Sequence, residues 1–329
     1  MIKNIQGIIK LVYFIVKDLK AGSTLLRAYQ IKDTLLKYYN SDFQVIDINM
    51  VSLLKEKENC IFIWIGAIEY KYINLLSKKN INILDIVDKY LYNKKIIETG
   101  LNNNLYQIVI VNNNYMKNYF KRNTKFNGEI FVIYHHWDPR LSLTTTDTDN
   151  KLIFGYMGSI KSLLHTDNFL HYKKLIRLYP IIFFDTEIGM YVTDKVINNN
   201  INYSVRYNCN NMPEYLSFNC DINIREKNSI VSKFKTTAKL ATAAVLGHNI
   251  ITTMDEAIKD VLPADYPFIL ENSDFDTVNN MFQLVINDYN KDKVLWNKGL
   301  TILKNIKDKL ALDTVINDYI RLLNTTFIM

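Results

Sequence analysis

Glycine and proline are scarce, 10 and 5 in 329 residues, and cysteine is scarcer still, with 3 at positions 60, 209 and 220. So little Pro and Gly excludes a collagen-like or low-complexity chain. Three scattered cysteines with no CxxC pair supply neither a disulfide framework nor a structural zinc set, so a reducing compartment is expected. Long hydrophobic runs are missing too. The first apolar stretch, IIKLVYFIV at 8–16, is nine residues with a lysine inside. A membrane-spanning helix needs roughly 20, and no small-residue cleavage site follows. Neither an anchor nor a signal peptide is expected; the segment reads as a first core strand and the protein as cytoplasmic.

What is present is core material: 48% hydrophobic and 22% charged residues. At roughly 150 residues per domain, this length predicts two domains. The abundance of Lys, Asn, Ile and Tyr has the look of AT-rich codon usage. The Asn tracts at 102–104, 112–114 and 198–200 and the N-x-S/T matches at Asn202 and Asn324 are therefore given little weight. The net charge of +7 is unevenly spread: residues 1–150 hold 20 Lys+Arg against 14 Asp+Glu, residues 151–329 hold 20 against 19. No dense basic run or aromatic–lysine interleaving accompanies the excess, so nucleic acid is not the expected partner. An anionic membrane surface or a phosphate-bearing acceptor remains open for the basic half.

Strand-like apolar runs alternate with helical segments, as in parallel α/β sheets. In the first half the strands are 8–16, 43–48, 60–66, 81–88, 106–112 and 129–135, with helices over about 23–39 and 70–79. Several runs are apolar at nearly every position, so both faces should be buried beneath helices, which is a doubly wound Rossmann-type domain. After HHWDPRL at 135–141 the polar SLTTTDTDN marks a boundary. The alternation then restarts with strands 152–157, 180–185, 201–207, 218–225 and 248–253, helices over about 166–178 and 235–246, and helices filling 277–323. The organisation expected is an N-terminal Rossmann-like domain over 1–141, a second over 150–292, and C-terminal helices over 293–329.

Ligands of open α/β sheets sit beyond the carboxyl ends of the strands, and two such domains facing each other create a cleft. Three places follow strands. At 20–35, KAGSTLLRAYQIKDTL offers Gly22 and Ser23 at a helix start, a setting that favours phosphate, with Arg27 one turn in; an ordinary Ser/Thr cap explains the same residues. The fuller GxGxxG pattern is absent, which argues against NAD. At 223–253, Arg225 ends a strand and Lys233, Lys235 and Lys239 gather around the start of a helix. Lysines there oppose the helix dipole, which makes sense if an anion such as a diphosphate is bound. The other face, Leu240, Ala243, Ala244 and Leu246, is small and apolar, and Gly247 ends the helix. The third place is acidic: Glu69, Asp85, Asp88, and the His135, His136 and Asp138 set.

FKTTAKLATAAVLGHNII resembles the segment of GT-B-fold glycosyltransferases, of the family 4 or group 1 type, in which a Lys-Pro-x-x-Lys-Leu stretch precedes a helix, a glycine and an apolar strand. GSTLLRAYQIKDTL is similar to their N-terminal loop and helix, INILDIVDKYL to their acidic strand end, and HHWDPRL with FGYMGS to their interdomain passage and second-domain opening strand. Thr236 stands where the pattern has Pro, and Thr242 where many retaining members carry a glutamate that binds the donor. The resemblance implies a nucleotide-sugar donor held by the C-terminal domain, through Gly158, Ser159, Arg225, Lys235, Lys239 and Thr242, and an acceptor on the N-terminal one. An inverting transfer needs a base for the acceptor hydroxyl. Asp88 is the first choice, with Glu69 and His136 beside it, and a helix cap is the alternative role for Asp88.

Adjacent histidines on a strand point to opposite faces, so His135 and His136 are not expected to share a metal; one should face the cleft and the other pack. Neither DxD triplet, Asp147-Thr148-Asp149 or Asp274-Phe275-Asp276, follows a buried strand. No metal and no cofactor is therefore expected, with Lys, Arg and helix dipoles neutralising the leaving diphosphate. The acceptor hydroxyl, on a glycan, glycolipid or glycoprotein, stays open. So do two other functions: a nucleotide-sugar epimerase of the same fold, and a catalytically silent sugar-nucleotide-binding protein.

Overall fold

A computed structural model describes residues 11–66, 70–87, 93–158, 174–175, 178–184, 215–226 and 229–328. They fall into two compact units, one formed by Met1–His135, Phe234–Thr236 and Leu312–Met329, the other by His136–Lys233 and Thr237–Ala311. Among the described residues, no helix is long and apolar enough to cross a membrane.

The first unit is built on six strands: β1 (Val12–Val16), β2 (Phe43–Asp47), β3 (Ile61–Ile65), β4 (Ile81–Asp85), β5 (Ile108–Val111) and β6 (Glu129–Val132). All pair in parallel, in the order β2-β1-β3-β4-β5-β6. VYFIV, IFIWI and IVIV are buried at every residue, as strands covered on both faces must be. Alternate residues feed separate cores: Tyr13, Phe62, Trp64 and Val109 on one face, Val12, Phe14, Ile63 and Ile108 on the other. The second face is covered by α1 (Gly22–Thr24), which runs through a π-helical stretch, Leu25–Tyr29, into α2 (Gln30–Leu35), and by the last helix of the chain, Leu312–Ile328.

The first face is covered in part by α4 (Lys94–Asn102) and α5 (Asn114–Asn123), while α3 (Tyr70–Ile73) is a single turn. The two longer helices were not anticipated from sequence, because the Asn-rich segments around them hid their periodicity. Asn113 is fully buried and caps α5 by accepting from the Met116 N–H at 2.8 Å. Asn112, also buried, donates to the Val87 carbonyl. The low weight given to the tract at 112–114 is thus corrected for these two. Asn113→Ala should cost about 1–2 kcal/mol, as for other lost caps, read as a fall in melting temperature.

The second unit pairs β8 (Phe154–Met157), β9 (Ile181–Phe184), β11 (Cys220–Asn223), β12 (Asn249–Thr253) and β13 (Ile269–Leu270) in parallel, in the order β13-β12-β11-β8-β9. A small parallel pair, β7 (Thr145–Thr146) with β10 (Tyr215–Leu216), stands apart from it. Its helices are α6 (Ile230–Lys233), α7 (Ala238–Leu246), α8 (Glu256–Lys259), α9 (Phe275–Lys291) and α10 (Val294–Lys309), and the helix at Leu312–Ile328 in the first unit is α11. Leu240, Ala241, Ala243 and Ala244 are buried on α7, and the small alanines let it lie against β11, β12 and α10. Gly247 closes α7 in the left-handed conformation, with φ 71°.

Candidate functional site

In both sheets the strand order reverses beside the first strand of the unit: between β1 and β3, and between β8 and β11. Ligand sites of doubly wound sheets form at the carboxyl ends of the strands flanking that reversal. In the second unit the flanking positions are the turn after Met157 and the turn after Asn223, which bear Gly158 and Arg225.

Lys239 lies in the first turn of α7, and its ammonium reaches the first of these turns. Nζ donates to the Met157 carbonyl at 2.7 Å and stands 3.3 Å from the centroid of the Tyr156 ring. A lysine here works against the helix dipole. The carbonyl oxygen and the ring face offset that penalty and fix the charge beside the strand end. Gly158 has φ 154°, a conformation that calls for glycine, and a β-carbon there would fall 2.7 Å from Lys239 Nζ and displace the ammonium. Gly158→Ala is expected to cost about 1–3 kcal/mol in backbone strain and to push the ammonium aside. The readout is a lower melting temperature together with weaker anion binding.

Arg225 follows β11 and pairs with Asp255 at 2.5 Å, while its backbone N–H donates to Thr253 Oγ1 at 3.0 Å. Asp255 is buried and also caps α8 by accepting from the Ile258 N–H, so the guanidinium is held from below by a carboxylate that is itself fixed. Thr242 is three residues beyond Lys239 and hence on the same side of α7. Gly158, Lys239 and Arg225 therefore belong to one end of one sheet, with Thr242 a turn further along α7. Sequence reasoning missed Tyr156, the Met157 carbonyl and Asp255. Tyr156, two residues before the glycine at a strand end, was legible; Asp255 was not, since it lies 30 residues from Arg225 along the chain.

Lys235 is placed differently. Phe234–Thr236 belong to the first unit, where Phe234 is buried against Tyr115, Tyr119 and Phe120 and the Lys235 carbonyl accepts from Asn113 Nδ2. The helix expected over 235–246 starts only at Ala238 for that reason.

In the first unit Arg27 is fully buried. It meets Asp85 through Nε at 2.9 Å and Nη2 at 3.0 Å, and its Nη1 donates to the Ile133 and Tyr134 carbonyls. The Tyr319 hydroxyl donates to the same carboxylate at 3.3 Å. Burial works against the guanidinium charge, but Asp85 overrides it and raises the Arg27 pKa; burial also pushes the Tyr319 phenol up. The expected phosphate contact of Arg27 is thus corrected to an internal brace. Gly22 is exposed with open space around it, and Ser23 makes no cap, the N-cap being Ala21.

The run 81–88 is a strand only to Asp85, because Val87 adopts φ 52° and turns the chain. Asp88, Glu69 and Ser159 lie outside the described residues. β6 stops at Val132, so His135 and His136 are beyond the strand, and both are buried rather than one facing outward. Asp147, Asp149, Asp274 and Asp276 of the two DxD triplets are exposed, and Asp274 caps α9.

Two parallel doubly wound sheets, the second with Lys239 and Arg225 at its strand reversal, define an α/β protein of the Rossmann-like type. The chain has the GT-B fold, two Rossmann-like domains in tandem. Among solved structures it is similar to sucrose-phosphate synthase from Thermosynechococcus elongatus, with a TM-score of 0.68 at 10% identity over 97% of this chain and 99% of that one. It is also similar to HepE of Anabaena in complex with UDP, at 0.60 and 12%, over 96% and 100%. The UDP-GlcNAc 2-epimerase of Methanocaldococcus jannaschii follows at 0.55 and 12%, over 96% and 100%. No family model and no curated protein sequence matches the chain.

Proposed function

We propose that the chain is a glycosyltransferase that moves a sugar from a nucleoside-diphosphate sugar to an acceptor hydroxyl in the cytoplasm. The observation that carries this reading is the ammonium of Lys239, held at 2.7 Å on the Met157 carbonyl beside Gly158 at the strand reversal of the second unit. A diphosphate is the ligand such a turn suits, because a fixed cation, a glycine backbone open to close approach and a helix N-terminus all favour a dense negative charge. Solved structures of the same fold that hold UDP support it.

In this reading Gly158, Ser159, Arg225, Lys239 and Thr242 bind the donor, and the cations stabilise the leaving diphosphate without a metal. The first unit receives the acceptor, and Asp88 or Glu69 takes its proton. Glycan, glycolipid and glycoprotein hydroxyls, at an anionic membrane surface or away from one, are the acceptors to be compared.

Thermal unfolding of the protein with UDP-, GDP-, ADP- and CMP-linked sugars tests the donor. A true donor at 100 times its Kd stabilises the fold by about 2.7 kcal/mol, whereas a flat response to all four would end the proposal. The epimerase reading, favoured by the similarity to a UDP-GlcNAc 2-epimerase, predicts a changed sugar with donor alone; transfer requires the acceptor. Binding without either reaction would mark a silent binding protein.

A further inference from the structure

His248 sits between Gly247 and the start of β12, its backbone N–H bound to the Ala243 carbonyl at 3.0 Å by the close of α7. Its ring is nearly inaccessible and is held edge-on by Phe218, with centroids 5.1 Å apart. Nδ1 lies 2.9 Å from Asp221 Oδ2, and Nε2 lies 2.7 Å from Thr146 Oγ1. Asp221 is buried on β11, whereas Thr146 is exposed on β7. A carboxylate only accepts, so the ring nitrogen facing it carries the hydrogen. That leaves the Nε2 lone pair to accept from the Thr146 hydroxyl, which is the polarity a hydroxyl nucleophile needs.

His248 precedes β12 and Asp221 is the second residue of β11, so this chain of groups is at the amino ends of the strands. Gly158, Arg225 and Lys239 are at the carboxyl ends. The donor site proposed above makes no use of it.

We propose that Thr146, His248 and Asp221 form a second reactive site, one that accepts acyl groups from activated esters. Oγ1 of Thr146 attacks the ester carbonyl carbon and forms the new C–O bond while its proton passes to His248 Nε2. The bond to the alcohol breaks, and the same proton leaves with the departing oxygen. Water then attacks the acyl-threonine with His248 again as base, releasing a carboxylic acid and restoring the hydroxyl. Thr146 and His248 touch the reacting atoms; Asp221 is a positioning residue that holds the ring and its proton. An ester with a good leaving group is the substrate class a hydroxyl–imidazole–carboxylate chain serves by itself. Neighbouring Cys220 does not compete, because burial pushes its thiol well above the usual range.

The test is p-nitrophenyl acetate with the full-length protein, followed by nitrophenol release and by peptide mass spectrometry. Thr146→Val, at an exposed position and of nearly the same shape, should still fold, with the melting temperature lowered by the lost partner of His248 Nε2, and lose release by roughly 100-fold or more, the usual worth of a positioned general base. His248→Gln should lose as much, Thr146→Ser should keep the activity, and Asp221→Asn should lower kcat with KM unchanged. Acetyl on Thr146 in the wild type, absent in His248→Gln, completes the expected result. Release equal in wild type and Thr146→Val, or acetylation confined to lysines, overturns the proposal.

Discussion

Replacing Lys239 with alanine is expected to weaken nucleoside-diphosphate binding by roughly 10- to 100-fold, the equivalent of one charge-assisted hydrogen bond of about 1.5–3 kcal/mol. The structure gives this lysine no role that requires the fold to fail with it. Its contacts include the Met157 carbonyl and the face of the Tyr156 ring at the carboxyl end of β8, and a part-exposed cation–π contact is worth about 0.5–1 kcal/mol. Calorimetric titration with UDP, or with whichever diphosphate the thermal screen selects, should therefore report a folded protein with a weaker site. Lys239→Arg would keep the charge but not the geometry, since a planar fork does not fit the compact slot over Tyr156 beside Gly158, and its affinity should fall between the two. The wild-type affinity should also decline with added salt more steeply than that of Lys239→Ala, because one cation fewer is involved. An unchanged Kd in Lys239→Ala would remove the assignment of this strand end as the donor site.

Much of the architecture was legible because its physics is local. Strands such as IFIWI, buried on both faces, show as unbroken apolar runs whatever surrounds them. The two parts of the basic end of the second unit were legible one at a time, Gly158 directly after a strand and Lys239 at a helix start, but the contact of Lys239 with the Met157 carbonyl spans 82 residues. Element ends were less so. The strand 81–88 closes at Asp85 through a left-handed Val87, a conformation that a β-branched residue does not advertise. α5 was hidden by an asparagine tract whose composition suggested a loop, although one of those asparagines is the buried cap that starts the helix.

What sequence could not supply was pairing over distance. Asp85 looked like one more acidic residue after a strand, and Arg27 like a cation after a helix start. Their bond spans 58 residues and follows from two parallel crossovers that no periodicity encodes. The same holds for Thr146 and His248, 102 residues apart. Lys235 shows the converse: four residues before Lys239 in sequence, it goes with Phe234 and its aromatic cluster to the other unit.

The largest loss of stability is expected from Arg27→Met, about 3–5 kcal/mol, the cost of leaving one partner of a buried ion pair alone. The side chains of Arg27 and Asp85 are inaccessible to water, and the carboxylate would keep only the Tyr319 hydroxyl and the Val87 N–H as donors. The brace joins the π-helical stretch at Leu25–Tyr29, the end of β4, the carbonyls beyond β6 and α11, so its loss should loosen all four together. Hydrogen exchange resolves this within one unit. Amides of β1 and β4 should exchange roughly two to four orders of magnitude faster in Arg27→Met if they open with the first unit, while those of β11 and β12 stay near wild type. Tyr319→Phe removes one neutral donor and should cost only about 0.5–1.5 kcal/mol. The double variant Arg27→Met with Asp85→Leu should recover most of the loss, because a buried pair replaced by apolar residues of similar volume is often neutral. That ordering separates a buried charge from mere packing. If the double variant were as unstable as Arg27→Met, the side-chain volume and the carbonyl contacts of Arg27, rather than the stranded carboxylate, would be what holds the first unit together.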